Sequence, residues 1–136
     1  MAYEITKTDS EWRAALDPNE FKVLREAATE RPWSGALLDE HRPGLFRCKA
    51  CAAPLFTSTS KFDSGSGWPS FYEPVSFDAV ELKQDRTWGM VRTEVLCATC
   101  GSHLGHLFDD APQTPTGDRF CMNSVSLAFD GDAKQD

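Results

Sequence analysis

The sequence predicts a mainly β chain of the α+β class, with a small helical N-terminus packed on an antiparallel β domain. Three observations carry this reading. A capped, amphipathic helix pattern lies just before Pro32. Beyond it the chain breaks into short apolar or alternating segments punctuated by Gly, Pro, Asp and Ser. No βαβ alternation accompanies them, so the strands are expected to pair antiparallel. At 136 residues the chain has the size of one domain, spanning 1–136 with its core at about 17–129.

The helix begins at Asp17-Pro18-Asn19-Glu20. Asp17 can cap, Pro18 suits the first helical position, and Glu20 can reach back to the cap. Phe21, Leu24 and Ala28 then fall on one face until Glu30-Arg31-Pro32 stops the helix. A shorter helix is expected over Ser10 to Leu16. The strand candidates are Leu45 to Arg47, Leu55 to Thr57, Ala79 to Leu82, Met90 to Leu96, Leu104 to Phe108 and Arg119 to Phe129. In Met90 to Leu96, Val91, Thr93 and Val95 alternate with Arg92 and Glu94. The last two candidates flank Asp110-Ala111-Pro112-Gln113-Thr114-Pro115-Thr116-Gly117, whose prolines and glycine mark a hairpin loop. Gly131 to Asp136 is polar and expected to fray.

Charge and hydropathy narrow the function. Acidic residues number 21 against 14 basic ones, for a net charge of −7, and no basic cluster exists to grip phosphates. A nucleic-acid partner is therefore not expected. No apolar run nears the roughly 20 residues of a membrane span. The N-terminal residues Met1 to Lys7 carry no secretory features, so the expected location is the cytoplasm, where thiols stay reduced.

Five cysteines then need a use other than disulfides. Cys48-Lys49-Ala50-Cys51 and Cys97-Ala98-Thr99-Cys100 are two C-x-x-C pairs, each able to present two sulfurs to one ion. Together they make a tetrahedral Cys₄ set, for which Zn²⁺ is the expected occupant and iron fits the same ligands. Such a closed site is structural, since no coordination position remains for substrate. Two other readings stand beside it: a thioredoxin-like redox pair, or two unrelated pairs of buried thiols.

Cys121 is the fifth. In a strand a lone cysteine can be a small buried hydrophobe. Here Cys121 and Asn123 share a face opposite to Phe120 and Met122. Pairing across the proline-rich loop brings His103 or His106 opposite or diagonal to Cys121, where an imidazole can assist a thiolate nucleophile. His103 and His106 are three apart, so a regular strand would separate them; a bulge at Gly105 would bring both to one side. The same histidines could instead be metal ligands or ordinary structural residues. Trp68 sits in Asp63-Ser64-Gly65-Ser66-Gly67-Trp68-Pro69-Ser70-Phe71, a rigid turn that either opens the indole to a ligand or lets it cap the core.

Several segments together resemble the methionine sulfoxide reductase B family. They are Pro54-Leu55-Phe56, Lys61 to Gly65, Gly67-Trp68-Pro69-Ser70-Phe71, Met90 to Val95, Ser102 to Asp110, Pro115-Thr116-Gly117 and Arg119 to Ser124, in order and with both C-x-x-C pairs. The resemblance spans roughly Asp17 to Phe129. It implies two antiparallel sheets, a bound zinc ion, and reduction of the R epimer of methionine sulfoxide, free or in proteins. It also implies Cys121 as nucleophile, His103, His106 and Asn123 as catalytic partners, Trp68 as the group that contacts the substrate methyl, and Cys48, Cys51, Cys97 and Cys100 as metal ligands. Where many members carry a resolving cysteine, this chain has Ser66, which cannot form a disulfide. The expected cycle therefore leaves a Cys121 sulfenic acid to an external thiol: thioredoxin, glutathione with glutaredoxin, or another small thiol. A monomer is expected. The rival reading is a zinc-stapled β module that binds partners and catalyses nothing.

Overall fold

A computed structural model describes residues 3–86 and 89–131. The predicted fraying of 131–136 therefore lies outside the described residues except at Gly131. Among the described residues, two α-helices precede nine short strands. Helix α1 (Asp9–Ala15) starts from a Thr8–Glu11 capping box, and α2 (Pro18–Glu26) from the Asp17–Glu20 box that the sequence predicts. Helix α2 ends earlier than the expected stop at Pro32: Ala27 turns left-handed at φ 58°. Tertiary bonds claim the residues beyond it. The Glu30 amide donates to Asn123, its carbonyl accepts from the Trp68 indole, and its carboxylate accepts from the Val125 amide.

The strands are β1 (Leu45–Cys48), β2 (Pro54–Thr57), β3 (Lys61–Phe62), β4 (Ser70–Phe71), β5 (Val80–Asp85), β6 (Arg92–Cys97), β7 (His103–Phe108), β8 (Arg119–Met122) and β9 (Leu127–Asp130). They form two antiparallel sheets, one in the order β2-β1-β9 and one in the order β3-β4-β8-β7-β6-β5. Two sequence expectations change here. Met90 and Val91 precede β6 and are exposed, so the alternation becomes a strand only at Arg92. The single strand expected over Arg119 to Phe129 is two, split by a 3₁₀ turn at Ser124–Ser126 that carries the chain from the larger sheet to the smaller. Asn123 and Ser126 hold that turn by donating to the Leu104 and His103 carbonyls, bonds that a continuous strand would not allow.

The sheets face each other through phenylalanines. Phe56 stacks on Phe71 at 4.4 Å between centroids, and Phe46 meets Phe71 edge-on at 5.0 Å. Trp12, Phe21 and Leu24 close the same core from the helices. Arg25 reaches out of α2 across the Trp12 ring and donates to the Cys100 carbonyl and the Ser102 hydroxyl, tying helix to sheet. Among the described residues no helix is long and apolar enough to cross a membrane.

Candidate active site and metal centre

The two C-x-x-C pairs fold into matching knuckles. In each, the amide after the second cysteine donates back to the carbonyl of the first, Ala52 to Cys48 at 2.8 Å and Gly101 to Cys97 at 2.7 Å. Both closing residues are left-handed, at φ 68° and 77°. Gly101 meets a second demand, because a Cβ there would lie 2.6 Å from the Tyr3 ring. The knuckles come from different sheets, and their four sulfurs lie within 4.8 Å of one another. Cys48 and Cys100 sulfurs are 3.8 Å apart, Cys51 and Cys97 sulfurs 3.6 Å. A tetrahedral ion with sulfur ligands at about 2.3 Å would set an edge of about 3.8 Å, and those two separations match it, so the donor set fits a metal. Hydrogen bonding chiefly with Cys48 pushes the Cys100 thiol down, while the same contact pushes Cys48 up. A cation would relieve the charge that four clustered thiolates, three of them buried, cannot share alone.

Cys121 lies elsewhere, on β8, directly opposite His106 of β7 and beside Ser70 of β4. The β6–β7 pairing explains why both histidines share its side of the sheet. Val95 pairs with Gly105 while Leu96 pairs with His103, so Leu104 is the extra residue of a bulge. The bulge thus falls one residue before the expected Gly105, and it turns the His103 and His106 rings edge to face at 5.5 Å. Gly105 earns its place differently: a Cβ there would sit 2.0 Å from the Cys121 carbonyl oxygen.

Cys121, His106, Trp68, Asn123, Arg92 and Phe108 line one cleft of about 80 Å³. That is far below the roughly 300–1,000 Å³ of pockets for drug-sized ligands, and it suits the head of a single side chain. Burial pushes the Cys121 thiol above its usual value, opposed first by the Ser66 hydroxyl 3.7 Å away and then by the charge of Arg119. Arg119 is itself held by two bonds to Asp110, at 2.9 and 3.0 Å. Burial likewise lowers the His106 pKa, against an Nε2–H bond of 3.0 Å to Asp85 that raises it. His103 is buried, and its Nδ1–H donates at 2.7 Å to Glu94, whose carboxyl is held below the usual range chiefly by that bond.

The SelR domain family matches residues 16–131. This chain belongs to that family. Two of its SelR relatives carry the name peptide methionine sulfoxide reductase MsrB. The protein of Leifsonia xyli subsp. xyli (strain CTCB07) is 61% identical over 93% of this chain and 91% of its own length. That of Thiobacillus denitrificans (strain ATCC 25259 / T1) is 55% identical over 95% and 97%. A solved Yippee-like domain of Mis18 shares the fold alone, with a TM-score of 0.51 and 18% identity over 65% of this chain and 95% of that one.

In this SelR chain the residues singled out from sequence fall into two groups. The four metal-type cysteines form one cluster. Cys121, His106, Asn123 and Trp68 form the other, with His103 packed behind it against His106. Asn123 spends its side chain on the Leu104 carbonyl and the Glu30 amide, and neither bond goes to an imidazole. The residues that sequence reasoning passes over are the orienting ones: Glu94, Asp85, Arg119, Glu30, Ser64 and Ser70. Glu94 and Arg92 left a signal, as charged residues repeating on one face of a strand. Asp85 and Glu30 left none, since their partners lie 21 and 93 positions away.

Proposed function

We propose that this protein is a peptide methionine sulfoxide reductase acting on the R epimer, with Cys121 as nucleophile and a structural zinc ion on Cys48, Cys51, Cys97 and Cys100. The observation that carries the reading is the cleft itself: one cysteine thiol, an imidazole directly across the strand pair, and an indole wall, in a space for one side-chain head. Two relatives of the chain bear that enzyme name. Zinc is favoured over other metals by the all-sulfur tetrahedral donor set, and it takes no part in the chemistry.

The reaction follows from the neighbours of each group. Asp85 accepts the Nε2 proton of His106, so the exchangeable proton of that ring is on Nδ1. With its thiol raised and its imidazole lowered by burial, the resting pair is neutral, and the reactive pair is thiolate with imidazolium. The thiolate attacks the sulfoxide sulfur and pushes charge onto the oxygen, which takes the proton from His106. His103 supports that ring from behind. The hydroxyl then passes from the methionine sulfur to the Cys121 sulfur: the S–S and methionine S–O bonds break, the Cys121 S–O bond forms, methionine keeps the remaining electron pair as a thioether, and Cys121 is left as a sulfenic acid. In net terms one thiolate, one proton and one sulfoxide give one sulfenic acid and one thioether. Two external thiols, of thioredoxin or a small-molecule type, then return Cys121 to the thiol and release a disulfide and water. Trp68 offers its face to the S-methyl group, its plane set by the indole bond to the Glu30 carbonyl at 3.0 Å.

Turnover of separate R and S epimers of a methionine sulfoxide peptide tests the assignment, alongside Cys121→Ser. We expect turnover of R alone and none by the variant, which should keep its metal. Undiminished activity in Cys121→Ser would refute the nucleophile.

A further inference from the structure

We propose that Ser66 is itself a catalytic residue, holding the Cys121 thiolate through a relay of hydroxyl groups that runs back through Ser64 to Ser70. The proposal rests on Cys121 being the nucleophile. It assigns to Ser66 a role of its own beyond marking an absent cysteine.

The geometry is a chain of short steps. Ser66 Oγ lies 3.7 Å from Cys121 Sγ and 2.8 Å from Ser64 Oγ, and Ser64 Oγ lies 2.7 Å from Ser70 Oγ. Ser70 is almost fully buried and pairs with Cys121 across the β4–β8 ladder. Backbone amides hold two of the oxygens in place. The Ser66 amide donates to Ser64 Oγ at 3.3 Å, and the Trp68 amide to Ser66 Oγ at 3.4 Å. The Ser64 and Ser66 oxygens therefore each already accept one bond, which leaves their own protons to point either way along the line. When Cys121 is a thiolate, Ser70 donates to Ser64, Ser64 to Ser66, and Ser66 to the sulfur. When Cys121 is a thiol, every proton can reverse, and the line ends with Ser70 donating to the Trp68 carbonyl at 3.1 Å. Both states are satisfied, but the thiolate state gains more, because a hydrogen bond to an ion is stronger and a chain polarises its members.

The relay offsets a cost that the site imposes. Burial raises the Cys121 thiol, and the Ser66 hydroxyl is the foremost group lowering it, ahead of the Arg119 charge. The other charged or titratable groups facing the cleft are His106 from β7 and Arg92 from β6. A serine at position 66 thus supplies thiolate stability at the place where a cysteine would supply disulfide exchange. Asp63 braces the turn by accepting from the Gly65 amide at 3.1 Å.

The test is the pH dependence of Cys121 alkylation by iodoacetamide, followed by peptide mass with the metal retained, in the wild type and in Ser66→Ala, Ser66→Thr and Ser64→Ala. Losing one hydrogen bond of about 0.5–1.5 kcal/mol should raise the apparent thiol pKa by about 0.4–1.1 units, a roughly 2- to 12-fold loss of thiolate at neutral pH. Ser66→Thr keeps the hydroxyl and should restore the wild-type value. Ser64→Ala leaves every atom touching Cys121 in place and should shift the pKa the same way by less; it carries the test if Ser66→Ala does not fold. An alkylation pKa unmoved in both alanine variants, or moved equally by Ser66→Thr, overturns the relay. Turnover surviving in Cys121→Ser would instead defeat the nucleophile assignment, so the two failures are told apart.

Discussion

Replacing Gly105 with alanine should damage the site more than any single loss of a polar contact. A Cβ at this position would lie 2.0 Å from the Cys121 carbonyl oxygen and 2.9 Å from the Met122 Cα. The first is a full 1.0 Å inside the 3.0 Å that real Cβ atoms respect, and the obstacle is backbone rather than a flexible side-chain end. Strand β8 must therefore move away from β7 at the rung next to the His106–Cys121 pair. Overpacking of this kind costs about 1–3 kcal/mol when side chains can adjust, and here they cannot, so the upper figure is the floor of the expectation. At about 2–8 °C per kcal/mol for domains around this size, the melting temperature should fall by at least roughly 6 °C. The catalytic loss should be larger, because a 1 Å misplacement of reacting groups can cost about 100-fold in rate. Gly65→Ala is the control. Gly65, unlike Gly105, is left-handed, at φ 72°, and has nothing within 4 Å of its Cβ position, so its cost is conformational only. Thermal melts and turnover of both variants separate the two causes. A Gly105→Ala protein that matched Gly65→Ala in both readings would refute the argument that backbone contact builds the site.

Three further outcomes follow from the same geometry. Cys48→Ser should release the metal and lower the melting temperature by tens of degrees, since metal binding at such a site is folding free energy; metal analysis with calorimetry checks this, and an unchanged melt refutes it. Ser66→Cys puts a second sulfur where an oxygen now lies 3.7 Å from Cys121 Sγ, so oxidation by substrate should consume two thiols per turnover instead of one; thiol counting with the metal in place decides it. His106→Asn should lower turnover about 100- to 10,000-fold and remove the fall in rate that rising pH causes as the imidazolium is lost. With the His106 pKa lowered and the Cys121 thiol raised, the pair keeps its one shared proton between the two, so that fall comes above the usual thiol range. A variant that kept the limb would transfer the acid role to His103.

Much of the site was legible because its chemistry sits in local patterns. The Cys48/Cys51 and Cys97/Cys100 spacings are set by the knuckle itself, and the β7–β8 hairpin was marked by its proline-rich loop. The bulge was readable from the spacing of His103 and His106, because no regular strand serves both, though it falls at Leu104 rather than Gly105. What stayed hidden was tertiary. The end of α2 depends on Glu30 reaching Asn123, and the break after Met122 depends on Asn123 and Ser126 capturing carbonyls of β7. Neither is written in helix or strand propensity. The two-residue strands β3 and β4 were hidden for a related reason: Ser70 and Phe71 are extended only because β8 pairs with them.

The metal cluster and the cleft are separate in space but joined through one hairpin. The second knuckle ends at Cys100, and β7 begins at His103, so the bulge that turns the two histidines together starts just past the metal ligands. Arg25 holds the same junction through the Cys100 carbonyl and Ser102, and Ile5 holds the knuckle through the Thr99 carbonyl. On the other side, Ser126 and Asn123 fasten the His103 and Leu104 carbonyls to the turn that follows Cys121. The imidazoles are thus fixed from both sides of the Leu104 bulge, by a cysteine knuckle before it and by the turn that follows Cys121 after it. On the proposed reading, this arrangement answers why a structural ion would belong in so small an enzyme. Short strands and short helices leave little packing to hold His103 and His106 within reach of Cys121, and four metal–sulfur bonds would do what a larger core would otherwise have to do.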